Sequence, residues 1–347
     1  MNFSLLTKPI FKISDSLDEG PFKLINSTYF LYSESSIIKC INIKTNKNAF
    51  SIEEEYFMEP YFGLVNNLKL LAKQDYSKVI IYQIDKTFSG YKKIKVLNIK
   101  GFEIARSLYK NGYIIGGDSI SIYNFKDELE YNISTKYNFS GFDYHTIAPF
   151  EIQLENKMNN LLVLPMGDET NICLRKNLKK VMAINSCISD ALDMEDGNII
   201  LASQEKLILV NLNNYKIEYE IECPQVEEKL KYWDVHTFSE IFKYKDNIIT
   251  TISGMNDQNG DDYLISFWNY NSDKSNNKIE LIQSLVFQDY ALMLDKEKLL
   301  IMSNDSIIRV NIKEIKGKDK NIIKTTTITD YKKKEEKSGN KSKKRKK

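Results

Sequence analysis

The chain of 347 residues contains two histidines, His145 and His236, and these are its first candidates for acid–base chemistry. A neutral imidazole near pH 7 can accept a proton during catalysis. With Glu240 close to it in the sequence, His236 is a candidate general base. The alternative is structural, with His236 bridging a loop to a strand. His145 lies in GFDYHTIAPF, a predicted loop where it serves either as a contact residue or as an ordinary loop histidine.

Motifs for nucleophilic catalysis and for calcium are incomplete. Residues 117–121 (GDSIS) have the first glycine of a GxSxG elbow and lack the second. Residues 257–262 (DQNGDD) begin like a calcium loop, but Asp262 stands where an EF-hand needs glycine and Trp268 where it needs glutamate. Both segments are typical of turns between strands.

Metal and phosphate chemistry are equally unsupported. The four cysteines, Cys40, Cys173, Cys187 and Cys223, are widely separated and form no CxxC pair. This spacing disfavours zinc and predicts reduced thiols in a reducing compartment. Neither GxxxxGK[ST] nor GxGxxG occurs. We therefore expect no catalytic residue, no metal, no cofactor and no enzyme activity.

The charge is divided between two parts of the chain. Residues 331–347 (YKKKEEKSGNKSKKRKK) hold ten basic and two acidic residues, whereas residues 1–330 hold 39 basic and 45 acidic ones. The tail has no apolar residue after Tyr331 and is predicted to be disordered. Its candidate contacts for nuclear import or for a polyanion such as RNA are Lys332, Lys333, Lys334, Lys343, Lys344, Arg345, Lys346 and Lys347.

The positioning elements are predicted to be short strands. Apolar, β-branched and aromatic runs alternate with turn residues, as in Ile37–Ile43 and Val79–Ile84, and no helical stripe is sustained. The runs fall into seven groups of about 47 residues, close to the roughly 40–45-residue period of four-stranded propeller blades. No apolar run approaches the roughly 18–20 residues of a membrane span, and the N-terminus is a poor signal peptide.

One group carries a recognisable hydrogen-bonding set. The set is His236, Ser253 (with Thr251 as the alternative hydroxyl), Asp261 (with Asp257 and Asp262 as alternatives) and Trp268. It resembles the His–Ser/Thr–Asp–Trp network of WD40-type repeats. The two-strand phrases at Gly112–Glu128 and Gly197–Lys216 are also similar to that family. The resemblance implies an all-β fold, a single seven-bladed β-propeller of four-stranded antiparallel blades.

We assign residues 1–330 to this propeller and residues 331–347 to the Lys-rich tail. Within the propeller, residues 1–19 are expected to supply a closing strand, with Phe3–Ile13 pairing with the seventh group, because such pairing removes exposed sheet edges. Two stacked β-sandwiches are the alternative architecture.

Aromatic residues in the segments between blades are the candidate protein-docking residues. They lie among acidic residues and a proline in EEEYFMEPYFG (53–63) and in two further segments, where exposure would make a docking patch and burial would make loop packing. The set is Tyr56, Phe57, Tyr61, Phe62, Tyr144, Tyr232 and Trp233.

These features predict a non-catalytic scaffold for protein–protein interactions, within a nuclear or RNA-linked complex. Its partners are one or more proteins and RNA through the tail, with no membrane and no metal; its location is the nucleus, with the cytoplasm as alternative. Residues 328–337 (ITDYKKKEEK) resemble the end of the non-catalytic propeller subunit of tRNA guanine-N7 methyltransferase, which implies a role in tRNA processing beside a separate catalytic subunit. A propeller hydrolase or lyase is the remaining alternative.

Overall fold

The computed structural model describes most of residues 2–315. The segments outside the description are 1, 13–21, 27, 35–36, 46, 54–61, 66–67, 103, 109–111, 135–148, 155–159, 167–168, 204–205, 223–235, 246, 258–259, 272–277, 289, 296–297, 304–305 and 316–347. The described residues contain no α-helix, so the predicted all-β class is confirmed. It follows that no described helix could cross a membrane.

The described strands, numbered β1 to β28 along the chain, form seven four-stranded antiparallel sheets. The chain begins with β1 (Asn2–Lys12). Sheet 1 contains β2 (Phe22–Leu24), β3 (Tyr29–Glu34), β4 (Ile37–Asn42) and β5 (Lys47–Glu53). Sheet 2 contains β6 (Phe62–Val65), β7 (Lys69–Asp75), β8 (Lys78–Ile84) and β9 (Tyr91–Asn98). Sheet 3 contains β10 (Ile104–Leu108), β11 (Gly112–Gly116), β12 (Ser119–Tyr123) and β13 (Leu129–Ser134). Sheet 4 contains β14 (Phe150–Ile152), β15 (Leu161–Pro165), β16 (Thr170–Leu174) and β17 (Lys180–Ile184). Sheet 5 contains β18 (Ile188–Asp193), β19 (Asn198–Ser203), β20 (Lys206–Asn211) and β21 (Lys216–Glu222). Sheet 6 contains β22 (His236–Lys245), β23 (Ile248–Asp257), β24 (Gly260–Asn271) and β25 (Lys278–Gln288). Sheet 7 contains β26 (Tyr290–Asp295), β27 (Lys298–Ser303), β28 (Ser306–Ile315) and β1.

Sheet 7 joins the two ends of the described chain. β1 pairs antiparallel with β28, from Asn2 opposite Ile315 to Lys12 opposite Ser306. This is the pairing that the sequence predicted for Phe3–Ile13. It gives β28 a neighbour on its outer side and so removes one exposed edge.

Consecutive sheets pack face to face. In β8, Ile80 and Tyr82 belong to the apolar cluster shared with sheet 1, while Val79 and Ile81 belong to the cluster shared with sheet 3. Further clusters lie between sheets 3 and 4, 4 and 5, and 5 and 6. Alternation along a strand therefore buries both faces of a sheet, which explains why the middle strands are apolar on both sides. The alternative architecture of two stacked β-sandwiches was therefore wrong.

In sheets 2 to 6 the first strand lies innermost. β6 contacts β10, β10 contacts β14, β14 contacts β18, and β18 contacts β22. The fourth strand is the outer one. In sheets 1 to 6 the register between the third and fourth strands shifts by one residue, for example at Cys40/Ile41 in sheet 1. Such bulges increase the local twist of the outer strands.

The turns into the outer strands of sheets 2 to 5 each contain a non-glycine residue with positive φ. These residues are Phe88 (55°), Asp127 (62°), Leu178 (54°) and Tyr215 (54°). The left-handed conformation costs an L-residue about 1–2 kcal/mol. Each of these side chains contacts the preceding sheet or the apolar cluster shared with it; Phe88, for instance, stacks on Tyr29 at 4.2 Å between ring centroids. The four turns therefore act as clamps between sheets.

Replacement of Phe88 tests one clamp. We expect Phe88→Gly to lower the free energy of unfolding by about 1–2 kcal/mol, because the lost aromatic contact and burial outweigh the relieved backbone strain. Phe88→Ala keeps the strain and loses the same contact, so it should be about 1 kcal/mol less stable than the glycine variant. Urea unfolding measures both. A glycine variant as stable as the natural chain would contradict the clamp.

Candidate functional site

The structure describes two side chains of the hydrogen-bonding set that was predicted for sheet 6. Trp268 on β24 is 1% exposed, and its indole Nε1–H donates to Oγ1 of the buried Thr251 on β23 at 2.9 Å. The hydroxyl partner in the described network is therefore Thr251, the alternative to Ser253. The backbones of His236, Ser253 and Asp261 lie on the same sheet, but their side chains are outside the described residues, and their role stays a prediction.

A second polar cluster joins sheets 2 and 3. Lys69 Nζ on β7 lies 2.7 Å from Oδ1 of Asp127, in the turn after β12, and the two side chains are 12% and 8% exposed. Tyr113 on β11 donates its hydroxyl to the same carboxylate oxygen at 2.9 Å, and Lys69 also donates to the Phe125 carbonyl at 2.8 Å. Burial and the nearby carboxylate raise the pKa of Tyr113, so the phenol stays neutral and acts as a donor.

Sheets 5 and 6 are joined in a comparable way. Tyr270 on β24 donates its hydroxyl to Oδ2 of Asp196, in the turn after β18, at 2.6 Å. It accepts a hydrogen bond from Nδ2 of Asn198 at 3.1 Å. Burial first, then the Asp196 contact, raises the pKa of Tyr270. Buried tyrosines and turn carboxylates thus form polar links between neighbouring sheets, which indicates a structural role for these titratable groups.

Three described polar side chains on the inner strands have partners within the propeller. Arg106 on β10 lies over the ring of Phe150 on β14, 5.4 Å from its centroid. Asp190 Oδ2 on β18 accepts from the backbone N–H of Ile241 on β22 at 3.0 Å. Glu151 on β14 accepts from Asn160. Within the described ranges, no group of three His, Cys, Asp or Glu residues could hold a metal ion.

Comparison with solved structures identifies the fold. The chain superposes on a structure titled "Crystal structure of RRP9 WD40 repeats" with a TM-score of 0.60, 6% identity, and coverage of 88% of this chain and 97% of the other. The fold is a WD40-type β-propeller. "Structure of U3-55K" gives 0.59 and 6%, covering 88% and 98%. The Cps50 (Swd1) β-propeller domain of Myceliophteria thermophila superposes with a TM-score of 0.54 and 10% identity, over 86% of this chain and 97% of the other.

At these identities the likeness is one of fold. No family model matches the sequence, and no curated protein matches it. The predicted WD40 resemblance is confirmed by the structural neighbours, whereas the resemblance to the tRNA methyltransferase subunit stays a prediction.

Two of the described thiols are buried in the propeller. Cys40 is fully buried, and burial raises its pKa to about 12. Burial also raises the pKa of Cys173. A neutral buried thiol is a poor nucleophile and a poor metal ligand, in agreement with packing roles.

The predicted aromatic docking set is not brought together among the described residues. Phe62 is the first residue of β6. It is 5% exposed and packs in the apolar cluster between sheets 1 and 2, which are blades 1 and 2 of the propeller. The prediction that Phe62 is a docking residue was wrong, because Phe62 lies on the inner strand β6 and not in the segment between blades. The other members, together with the basic residues of the tail, lie outside the described residues; they are Tyr56, Phe57, Tyr61, Tyr144, Tyr232 and Trp233.

The described apolar surface lies mainly on the rim of blades 2 and 3. Five of the nine exposed large hydrophobic side chains are on the neighbouring outer strands β9 and β13: Tyr91, Ile94, Val96, Leu129 and Tyr131. The sequence analysis missed these residues, because it assigned apolar runs on strands to the core. Knowing that the fourth strand of each blade is the outermost would have singled out YKKIKVLN, in which lysines interrupt the apolar run.

Proposed function

We propose that this propeller is a non-catalytic scaffold that docks proteins within a nuclear or RNA-linked complex. The observation that carries the proposal is the set of exposed apolar side chains on the outer strands β9 and β13 of the neighbouring blades 2 and 3. Exposed apolar patches on a rigid body are typical of protein–protein contact. The likeness to RRP9 and U3-55K supports the class of scaffold.

The basic tail supports the nuclear and RNA-linked part of the proposal. Residues 331–347 carry ten basic residues, while the remainder of the chain has an acidic excess. A cationic segment of this kind suits an import receptor or the phosphate backbone of RNA. The acidic body is a poor surface for RNA by itself, so any RNA contact is expected to depend on the tail.

Affinity purification tests the scaffold. The full chain and a chain lacking residues 331–347 are purified from the native organism, and co-purifying proteins are identified by mass spectrometry. We expect the same stoichiometric protein partners with both chains. A catalytic methyltransferase among them would support the methyltransferase-subunit alternative. Purification of the full chain with no stoichiometric partner would contradict the scaffold.

Deletion of the tail is expected to abolish nuclear accumulation of a fluorescent fusion and to weaken binding to a single-stranded RNA. The affinity of the full chain should fall steeply with salt, with a log–log slope of about −0.7 per phosphate contacted. A fusion in which alanines replace Lys332, Lys333 and Lys334 separates the two basic clusters, because it keeps the cluster at 343–347. Unchanged localisation and unchanged RNA affinity on deletion would remove the tail from the proposal.

A further inference from the structure

The outer strand of blade 2 is an open sheet edge. Among the described strands, β9 (Tyr91–Asn98) pairs only with β8, and it is the last strand of its sheet. Every residue of β9 except Leu97 is exposed. An outer strand presents backbone N–H and C=O groups on the side away from its partner, and such an edge can accept a further strand.

The side chains of β9 have a definite chemistry. Ile94 and Val96 are 45% and 44% exposed, and Tyr91 is 38% exposed. The strand also carries Lys92, Lys93 and Lys95, and it has no acidic residue. Lys95 Nζ donates to the carbonyl of Asp127, which fixes one of the cations beside blade 3. The edge therefore combines exposed apolar groups with positive charge.

The outer strand of blade 5 has the opposite charge. β21 reads KIEYEIE, with Glu218, Glu220 and Glu222 at alternate positions and Lys206 bridging one of them at 3.1 Å. It also exposes an isoleucine, Ile217, at 42%. The two outer strands are thus similar in exposure and differ in charge, so any acidic partner will discriminate between them.

We propose that β9 binds an extended acidic segment of a partner protein, which adds to blade 2 as a fifth strand. Main-chain hydrogen bonds would supply part of the affinity, and alternating apolar and acidic side chains would meet the isoleucine, valine and lysines of β9. The same lysines oppose pairing of β9 with the β9 edge of a second copy. This inference rests on the proposed docking function and names one of its surfaces.

The test uses the full chain and a fluorescein-labelled peptide, Ac-EVEYEVE-NH2. We expect saturable binding, and slower amide hydrogen exchange in Tyr91–Asn98 when the peptide is bound. The variant Lys92→Glu/Ile94→Glu is expected to weaken binding at least about tenfold, because it removes a cation and an apolar group and adds two repulsive charges. The milder variant Lys92→Gln/Ile94→Thr is expected to weaken it about threefold and guards against misfolding.

The matched control makes the same substitutions on blade 5. The variant Lys216→Glu/Ile217→Glu changes an exposed lysine and an exposed isoleucine on β21, and its affinity for the peptide is expected to be unchanged. Equal loss in both variants would overturn the proposal, as would an equal affinity for Ac-KVKYKVK-NH2. A peptide N-methylated at alternate residues should bind poorly, since strand addition needs its N–H groups; full retention would overturn strand addition. Competition by oligouridine with no protection of β9 would assign the lysines to nucleic acid instead.

Affinity purification with Lys92→Glu/Ile94→Glu separates this inference from the proposed function. Loss of a partner that the blade 5 variant retains supports β9 as its site. Partners retained by both variants leave the scaffold intact and overturn the role of β9. If the natural chain itself retains no partner, the scaffold fails, whatever the peptide shows.

Discussion

Replacement of Asp127 by alanine is expected to lower the free energy of unfolding by about 3–5 kcal/mol, the range measured when one partner of a buried ion pair is removed. The carboxylate contacts Lys69 Nζ at 2.7 Å and accepts the Tyr113 hydroxyl at 2.9 Å. Without it, the Lys69 Nζ, on a side chain that is 12% exposed, has the Phe125 carbonyl as its remaining described acceptor. Alanine also adopts the left-handed turn conformation less readily than aspartate.

A double-variant cycle separates the ion pair from the turn. Asp127→Asn retains an oxygen acceptor and tolerates the turn, so its loss should be smaller than that of alanine and should arise mainly from the unpaired Lys69. Lys69→Met removes the cation and keeps an apolar stem of similar length. We expect Lys69→Met/Asp127→Asn to be more stable than Asp127→Asn alone in urea unfolding, because no buried cation remains. Strictly additive losses would show that the pair contributes nothing to the contact between blades 2 and 3.

Much of the architecture was predictable because blade strands are buried on both faces. The run Val79–Ile84, for example, was assigned to a strand from its apolar content, and it lies in β8. The details of register were not predictable. Strict alternation along Ile37–Ile43 would place Lys39 and Ile41 on the same face. The bulge at Cys40/Ile41 breaks the alternation, so that Cys40 and Ile41 are buried in succession while Lys39 is half-buried.

The polar contacts between blades could not be predicted from the sequence for a different reason. Lys69 and Asp127 are 58 positions apart, and Asp196 and Tyr270 are 74 apart. Each was assigned locally, to a turn or a strand, since no short motif records a contact across two sheets. The hydrogen bond of Trp268 could be predicted because the family network has a characteristic spacing within one blade. Even there, the hydroxyls of Thr251 and Ser253 both fitted that spacing.

Trp268→Ala should have an equally large effect, about 3–5 kcal/mol, in the range of other buried tryptophan truncations. The side chain is among the largest that are fully buried, and it packs in the cluster between blades 5 and 6 with Ile249 and Ile279. Its loss also leaves the buried Thr251 hydroxyl without its indole donor. The measurement is urea unfolding followed by circular dichroism, because the variant removes one of the two tryptophans.

The hydrogen bond itself is measured by subtler variants. Thr251→Val leaves the indole N–H buried without its acceptor and should cost about 1–3 kcal/mol. Trp268→Phe keeps an aromatic ring and removes the donor, so the double variant should lose less than the sum of the single losses by about 0.5–3 kcal/mol. His236→Ala and Asp261→Ala extend the cycle to the predicted remainder of the network. If they belong to it, each will couple to Thr251→Val in the same direction; additive losses would confine the network of blade 6 to Trp268 and Thr251.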